Sequence, residues 1–184
     1  MTRQLTLILG GARSGKSDFA QTLARQRGGD AVVFVATAEA RDDEMRARIA
    51  AHRAARPVAW QTLEVPRAVA RALASVTDAR VIVVDCVTLW ASNVLLAEEA
   101  NASAVMAREI EELLAWYRAN DAALILVSNE VGMGLVPDNT LGRAYRDLLG
   151  AVNKQVAAAA DEVFLLVAGL PVEIKSYAVE WRTG

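Results

Sequence analysis

The chain has almost no cysteine and almost no histidine, with one of each, Cys86 and His52, in 184 residues. A single cysteine excludes an internal disulfide framework. One histidine beside one cysteine also argues against a zinc site, whose usual ligand sets need several of the two. An excess of one charge is missing as well, since 20 Lys and Arg stand against 22 Asp and Glu. The resulting net charge of −2 provides no basic footprint, so no nucleic-acid partner is expected. No apolar run reaches the roughly 18 residues of a membrane span. The first residues lead directly into a strand-like run, so they are not read as a secretory signal. No internal repeat, low-complexity tract or linker interrupts the sequence. The composition, 54% hydrophobic and 23% charged, is that of a globular chain. These absences leave one cytoplasmic domain spanning residues 1–184 as the expectation.

What the chain does have is a phosphate-binding loop. Gly10, Gly11, Ala12, Arg13, Ser14, Gly15, Lys16 and Ser17 fit the pattern G-x-x-x-x-G-K-[ST]. The stretch follows an apolar run (Leu5, Leu7, Ile8, Leu9) and precedes a helical pattern, which is the context the mechanism requires. Glycines let backbone N–H groups curl around phosphate oxygens, and the helix N-terminus adds partial positive charge. Lys16 is placed to reach the β- and γ-phosphates, and the Ser17 hydroxyl to sit on Mg²⁺. A nucleoside triphosphate is the expected ligand.

Strand-like and helix-like segments alternate along the chain. Strands are expected over 5–9, 31–36, 61–65, 81–85, 124–128 and 162–167, several of them continuous apolar runs of the kind buried on both faces of a parallel sheet. Helices are expected over 42–56, 104–120 and 141–160, the last two with clear apolar stripes. The fold class that follows is α/β, a mostly parallel sheet with helices on both faces, of the P-loop NTPase type. The segment 176–184 stays ambiguous.

In such sheets ligands sit beyond the carboxyl ends of the strands. The run Val81-Ile82-Val83-Val84-Asp85 has the form of a Walker B strand, with Asp85 placed to hold Mg²⁺ directly or through water. A plain helix-capping role is its bland alternative. Ser128-Asn129-Glu130 ends a further strand, and Gly132-Met133-Gly134 after it reads as a mobile lid. For Glu130, capping and function weigh equally.

The lone histidine falls in the expected helix 42–56. Arg48, His52 and Arg56 are spaced to stack along one helix face, with Arg53 beside them. Their guanidiniums would bind anionic phosphates and favour the neutral imidazole, a competent nucleophile. On the spacing alone, a surface histidine on a charged helix is the more ordinary reading, and His52 is a candidate. Arg143 and Arg146 are read either as a solvated helix face or as substrate-binding cations. Cys86 is read as a small buried hydrophobe. Trp60 and Trp90 are read as core aromatics before stacking platforms.

Taken in order, these segments resemble the bifunctional adenosylcobinamide kinase/adenosylcobinamide-phosphate guanylyltransferase family of cobalamin biosynthesis. The resemblance runs to about Lys175 and rests on Gly10–Ser17, on Asp42-Asp43-Glu44-Met45 with Arg48-Ile49 and His52, and on Arg56-Pro57 with Trp60. It continues through Asp85-Cys86-Val87-Thr88-Leu89-Trp90 with Asn93, then Ser128-Asn129-Glu130-Val131-Gly132-Met133-Gly134-Leu135-Val136-Pro137. Arg143, Arg146-Asp147, Gly150, Asn153, Ala160-Asp161 and Gly169-Leu170-Pro171 complete it. Ser128 stands where some members carry threonine, and Asp85 where some carry glutamate.

The resemblance implies two reactions. ATP or GTP phosphorylates the aminopropanol hydroxyl of adenosylcobinamide, and GTP then guanylylates the family's histidine, which matches His52. The phosphate of adenosylcobinamide phosphate takes over that guanylyl group to give adenosylcobinamide-GDP. The resemblance also implies nucleotide contacts at Thr37, Ala38, Glu39, Arg53, Ala54, Ala55, Arg56 and Glu64, and a homo-oligomer, a trimer in relatives. Glu64 could accept from the guanine N1–H and N2–H₂ edge. A phosphate-loop kinase without guanylyl transfer, or a nucleotide switch, would share the loop but have no use for His52.

Overall fold

The computed structural model describes residues 3–40, 42–54 and 56–179. Its centre is a 7-stranded sheet in the order β3-β2-β4-β5-β1-β6-β7. The strands are β1 (Leu5–Gly10), β2 (Val32–Ala36), β3 (Gln61–Glu64), β4 (Val81–Asp85), β5 (Ala123–Val127), β6 (Glu162–Val167) and β7 (Leu170–Glu173). The first six are mutually parallel, and β7 returns antiparallel against β6. The four middle strands β2, β4, β5 and β1 are buried along nearly their whole length, as their unbroken apolar sequences require.

The helices are α1 (Lys16–Gly28), α2 (Asp43–Ala54), α3 (Val69–Leu73), α4 (Val87–Ala97), α5 (Ala102–Ala119) and α6 (Thr140–Ala159). Alternation along the strands sorts the core into two layers. Ile8, Phe34, Val83 and Ile125 face Ala20 and Ala24 of α1, together with Trp60. Leu7, Val35, Val84 and Leu126 face the other way, onto Trp90 of α4, Ile110 and Leu113 of α5, and Val152 of α6. Helices therefore cover both faces, as expected.

The structure departs from the sequence reading at four elements. β7, α3 and α4 form where no strand or helix was expected. The helix expected to run to Arg56 stops at Ala54, so Arg56 lies beyond it, and Arg48, His52 and Arg56 do not share one continuous helical face. The cause is Pro57, which disfavours helical geometry in the residue before it. Trp60 and Trp90 are both core side chains, 6% and 0% exposed. Their indole N–H groups donate to the Gly29 carbonyl and to Glu109, so neither is a stacking platform.

Candidate active site

The loop between β1 and α1 has the geometry its glycines permit. Gly10 has φ 154, and a Cβ there would lie 2.6 Å from Ser14 Oγ and 2.7 Å from the Leu166 carbonyl oxygen. Gly15 caps α1 at φ 90, a left-handed conformation that lets the chain turn straight into the helix. Lys16 is buried, and its Nζ donates to the Gly11 carbonyl at 2.5 Å and to Ser14 Oγ at 3.4 Å. The ammonium thus folds back across the loop it would share with phosphate oxygens. Gly11, Ala12 and Arg13 lie exposed along the rim.

β4 stands two strands from β1 and ends at Asp85, whose carboxylate accepts a hydrogen bond from the Ser17 hydroxyl. Burial pushes the Asp85 carboxyl above its ordinary value, opposed by that bond and by the nearby cations of Arg56 and Lys16. A half-buried carboxylate beside a hydroxyl is a hard oxygen pair suited to Mg²⁺, which keeps several waters and takes phosphate oxygens. Among the described residues no group of three or more His, Cys, Asp or Glu side chains converges, so no all-protein metal cage is formed there.

Ser17 and Asp85 open into a cavity of about 200 Å³. His52 and Arg56 enter it from α2 and the segment after it, with Met45 and Ile49 as the apolar side of the same helix. Ala36 and Ala38 line it from the end of β2. The Arg56 guanidinium lies 3.7 Å from the Phe34 ring centroid, and its Nε is buried with no hydrogen-bond partner among the described residues. Burial lowers its pKa, which Asp85 partly counteracts. A desolvated cation with an unpaired donor is poised for an anion.

Other expected residues lie around this cavity rather than in it. Thr37 is fully buried, and its hydroxyl donates to the Cys86 carbonyl at 2.7 Å and accepts from the Cys86 N–H at 2.9 Å. Its side chain ties β2 to β4. Arg53 and Glu64 pair with each other at 3.3 Å on the surface, and Glu39 and Ala54 are exposed. Ala55 lies outside the described residues, as does the side chain of Arg48. Arg143 donates to the carbonyls of Pro137 and Asp138, and Arg146 leans on Asp147. Glu130 accepts from the Gly132 N–H.

Besides Ala36, Met45 and Ile49, the cavity lining includes Cys86, Thr88, Leu89 and Asn129, to which the sequence reading gave no role in the site. Burial and the Asp85 charge push the Cys86 thiol up to about 11, which keeps it protonated and inert. Asn129 was visible as a polar residue ending a strand and as part of the Ser128–Pro137 block, with no role attached to it. The sheet order that sets it beside the phosphate loop is not a local property of the sequence.

The profile of the family described as "Cobinamide kinase / cobinamide phosphate guanyltransferase" matches residues 6–174. The chain is 46% identical to a bifunctional adenosylcobalamin biosynthesis protein CobP of Pseudomonas aeruginosa, over 92% of this chain and 96% of the relative. It is 42% identical to a bifunctional adenosylcobalamin biosynthesis protein CobU of Salmonella typhimurium, over 93% of this chain and 99% of the relative. Among solved structures, a KaiC-like protein from Pyrococcus horikoshii superimposes with a TM-score of 0.51 at 16% identity, covering 88% of this chain and 71% of that one. At that identity the likeness concerns the fold alone.

Proposed function

The chain belongs to the cobinamide kinase / cobinamide phosphate guanyltransferase family, and we infer that the cavity lined by Ser17, His52 and Asp85 serves both reactions of that name. It is a bifunctional enzyme. It phosphorylates the aminopropanol hydroxyl of adenosylcobinamide with ATP or GTP, then transfers GMP from GTP to the resulting phosphate to give adenosylcobinamide-GDP. The observation that carries the assignment of residues is the meeting of Ser17, Asp85, His52 and Arg56 around one cavity at the mouth of the phosphate loop.

Gly10 to Ser17 cradle the triphosphate, with Lys16 neutralising its β- and γ-oxygens. In guanylyl transfer the imidazole nitrogen of His52 bonds to the α-phosphorus of GTP as the bond to the α,β-bridging oxygen breaks. Pyrophosphate leaves with the electron pair, and the imidazole gives up a proton to solvent. The phosphate of adenosylcobinamide phosphate then bonds to the same phosphorus as the P–N bond breaks, and the departing imidazole takes a proton back from solvent, which frees neutral His52. Covalent catalysis splits one difficult displacement into two. Arg56 supplies charge to the transferring group, and Arg53 with Glu64 supports the nucleotide further out. Ser17 and Asp85 would hold Mg²⁺, which neutralises phosphate charge when bound.

We assign the whole chain to one nucleotide-binding catalytic domain acting in the cytoplasm, where its triphosphates are found. No helix among the described residues is long and apolar enough to cross a membrane. The exposed Leu170 and Val172 on the edge strand β7 favour assembly into a homo-oligomer, the trimer of its relatives being the expected form.

Incubation with α-labelled GTP and Mg²⁺, followed by denaturing electrophoresis, tests this reading. The expected result is an acid-labile, alkali-stable label on the protein that is absent from His52→Ala. An unlabelled wild-type chain would refute guanylyl transfer through His52 and leave a simple kinase.

A further inference from the structure

β5 lies between β1 and β4, so its carboxyl end projects between the phosphate loop and Asp85. The residue at that point is Asn129, and the chain around it is held from every side. Ser128 N–H donates to the Ile8 carbonyl at 2.9 Å, and Glu130 N–H to the Gly10 carbonyl at 3.3 Å, which fastens the segment to the loop. The N–H of Asn129 itself donates to Thr88 Oγ1 of α4 at 3.0 Å. Its carbonyl accepts from Asn153 Nδ2 of α6 at 2.9 Å. Asn153 is buried and also accepts from the Ser128 hydroxyl at 2.7 Å, while Tyr145 of α6 donates to the Thr88 carbonyl.

Two strands and two helices thus fix one backbone position whose side chain lines the cavity with Ser17, His52 and Asp85. Among the described residues no hydrogen bond engages the Asn129 carboxamide. Polar groups held by a rigid surround and left open toward a reacting centre are what transition-state stabilisation needs.

We propose that the Asn129 carboxamide donates a hydrogen bond to the terminal phosphoryl group of the bound triphosphate and stabilises it during transfer to the cobinamide hydroxyl. The proposal rests on the two-reaction reading above. In that step the acceptor oxygen bonds to the γ-phosphorus as its bond to the β,γ-bridging oxygen breaks. The diphosphate leaves with the electron pair, and the hydroxyl proton passes through the new phosphate to water. Negative charge spreads over the γ-oxygens, where a fixed donor counts most. In guanylyl transfer the same group departs within pyrophosphate and is not the electrophile. Asn129 therefore weighs more on the first reaction than on the second.

The test compares wild type, Asn129→Ala and the isosteric Asn129→Asp in two assays on the same preparations. One is steady-state phosphorylation of cobinamide, and the other is single-turnover labelling of His52 by α-labelled GTP. Asn129→Ala should lower the kinase kcat by about 100-fold, the usual effect of removing one such donor, with little change in nucleotide KM. Guanylylation should fall much less, so that the ratio of the two rates drops at least about tenfold. Asn129→Asp, which keeps the volume but puts an anion against the phosphate, should be as slow or slower in the kinase step. Equal loss of both activities would mark Asn129 as structural and overturn the proposal, as would a kinase kcat near wild type in both variants. A wild-type chain that labels His52 but never phosphorylates cobinamide would overturn the two-reaction reading, and this proposal with it.

Discussion

Arg56 and Phe34 form a cation–π pair, with the guanidinium carbon 3.7 Å from the ring centroid. Phe34 is 1% exposed on β2, so the ring is a fixed floor and the cation is held over it at the edge of the cavity. An ammonium lacks the planar face and the fork that this position uses. Phe34→Leu should therefore weaken GTP binding by about 0.5–2 kcal/mol, or about 2- to 30-fold in Kd. Arg56→Lys should lose at least as much. In a double-mutant cycle read by GTP titration, the pair of changes should cost little more than Arg56→Lys alone. Full additivity would mean that the ring does not act through Arg56.

His52 and Lys16 should separate the two reactions. Phosphoryl transfer needs positioning and charge rather than a protein nucleophile. His52→Ala should therefore abolish guanylyl transfer and spare a measurable part of the kinase rate. Lys16→Ala should depress both by about 10²-fold, because one loop holds the triphosphate in each step. If His52→Ala removed both activities equally, the histidine would be holding structure or nucleotide instead of forming a covalent intermediate.

Local chemistry was legible in the sequence and long-range placement was not. The loop from Gly10 to Ser17 is written in consecutive residues, and the middle strands in unbroken apolar runs, so both could be read directly. β7 was hidden because Leu170-Pro171-Val172-Glu173 is short and contains a proline, which only an edge strand tolerates. α4 was hidden because Val87, Trp90, Ala91, Val94 and Leu95 are all buried and leave too few polar positions to mark a stripe. The resemblance implies a nucleotide contact at Thr37, and only the fold reveals that its hydroxyl also bonds the Cys86 backbone and so ties β2 to β4. Asn129 needed the order of the strands before it could be placed next to Asp85.

Glu173, at the end of β7, couples stability to pH. Its carboxylate accepts from the N–H groups of Val163 at 3.0 Å, Lys175 at 3.0 Å and Ser176 at 2.8 Å. These bonds, the Val163 N–H first, hold the carboxyl down from 4.5 to about 2. Because the folded-state value is the lower one, the stabilisation is fully present above pH 4.5 and drains away as pH falls toward about 2. The gap in urea midpoint between wild type and Glu173→Gln should be constant near neutrality and close across that acid window. A gap that stayed the same at every pH would show that the charge of Glu173 contributes nothing.

Glu109 of α5 joins three helices through one buried carboxylate. Its Oε2 accepts from the Ala68 N–H that precedes α3 at 2.8 Å and from Trp90 Nε1 of α4 at 2.5 Å. Ala68 sits at φ 53, so its N–H is aimed inward by a turn that would not form for its own sake. Glu109→Ala leaves two buried donors without an acceptor, at about 1–3 kcal/mol each. The expected loss is about 2–6 kcal/mol in denaturant unfolding, seen as a lower midpoint at an unchanged slope. Glu109→Gln keeps an acceptor oxygen at the same place and should lose clearly less. Because α4 also carries Thr88, which holds the Asn129 N–H, the Ala variant should slow the kinase step even under conditions where it remains folded. Equal stability of the Ala and Gln variants would mean that the two hydrogen bonds to Glu109 do not hold these helices together.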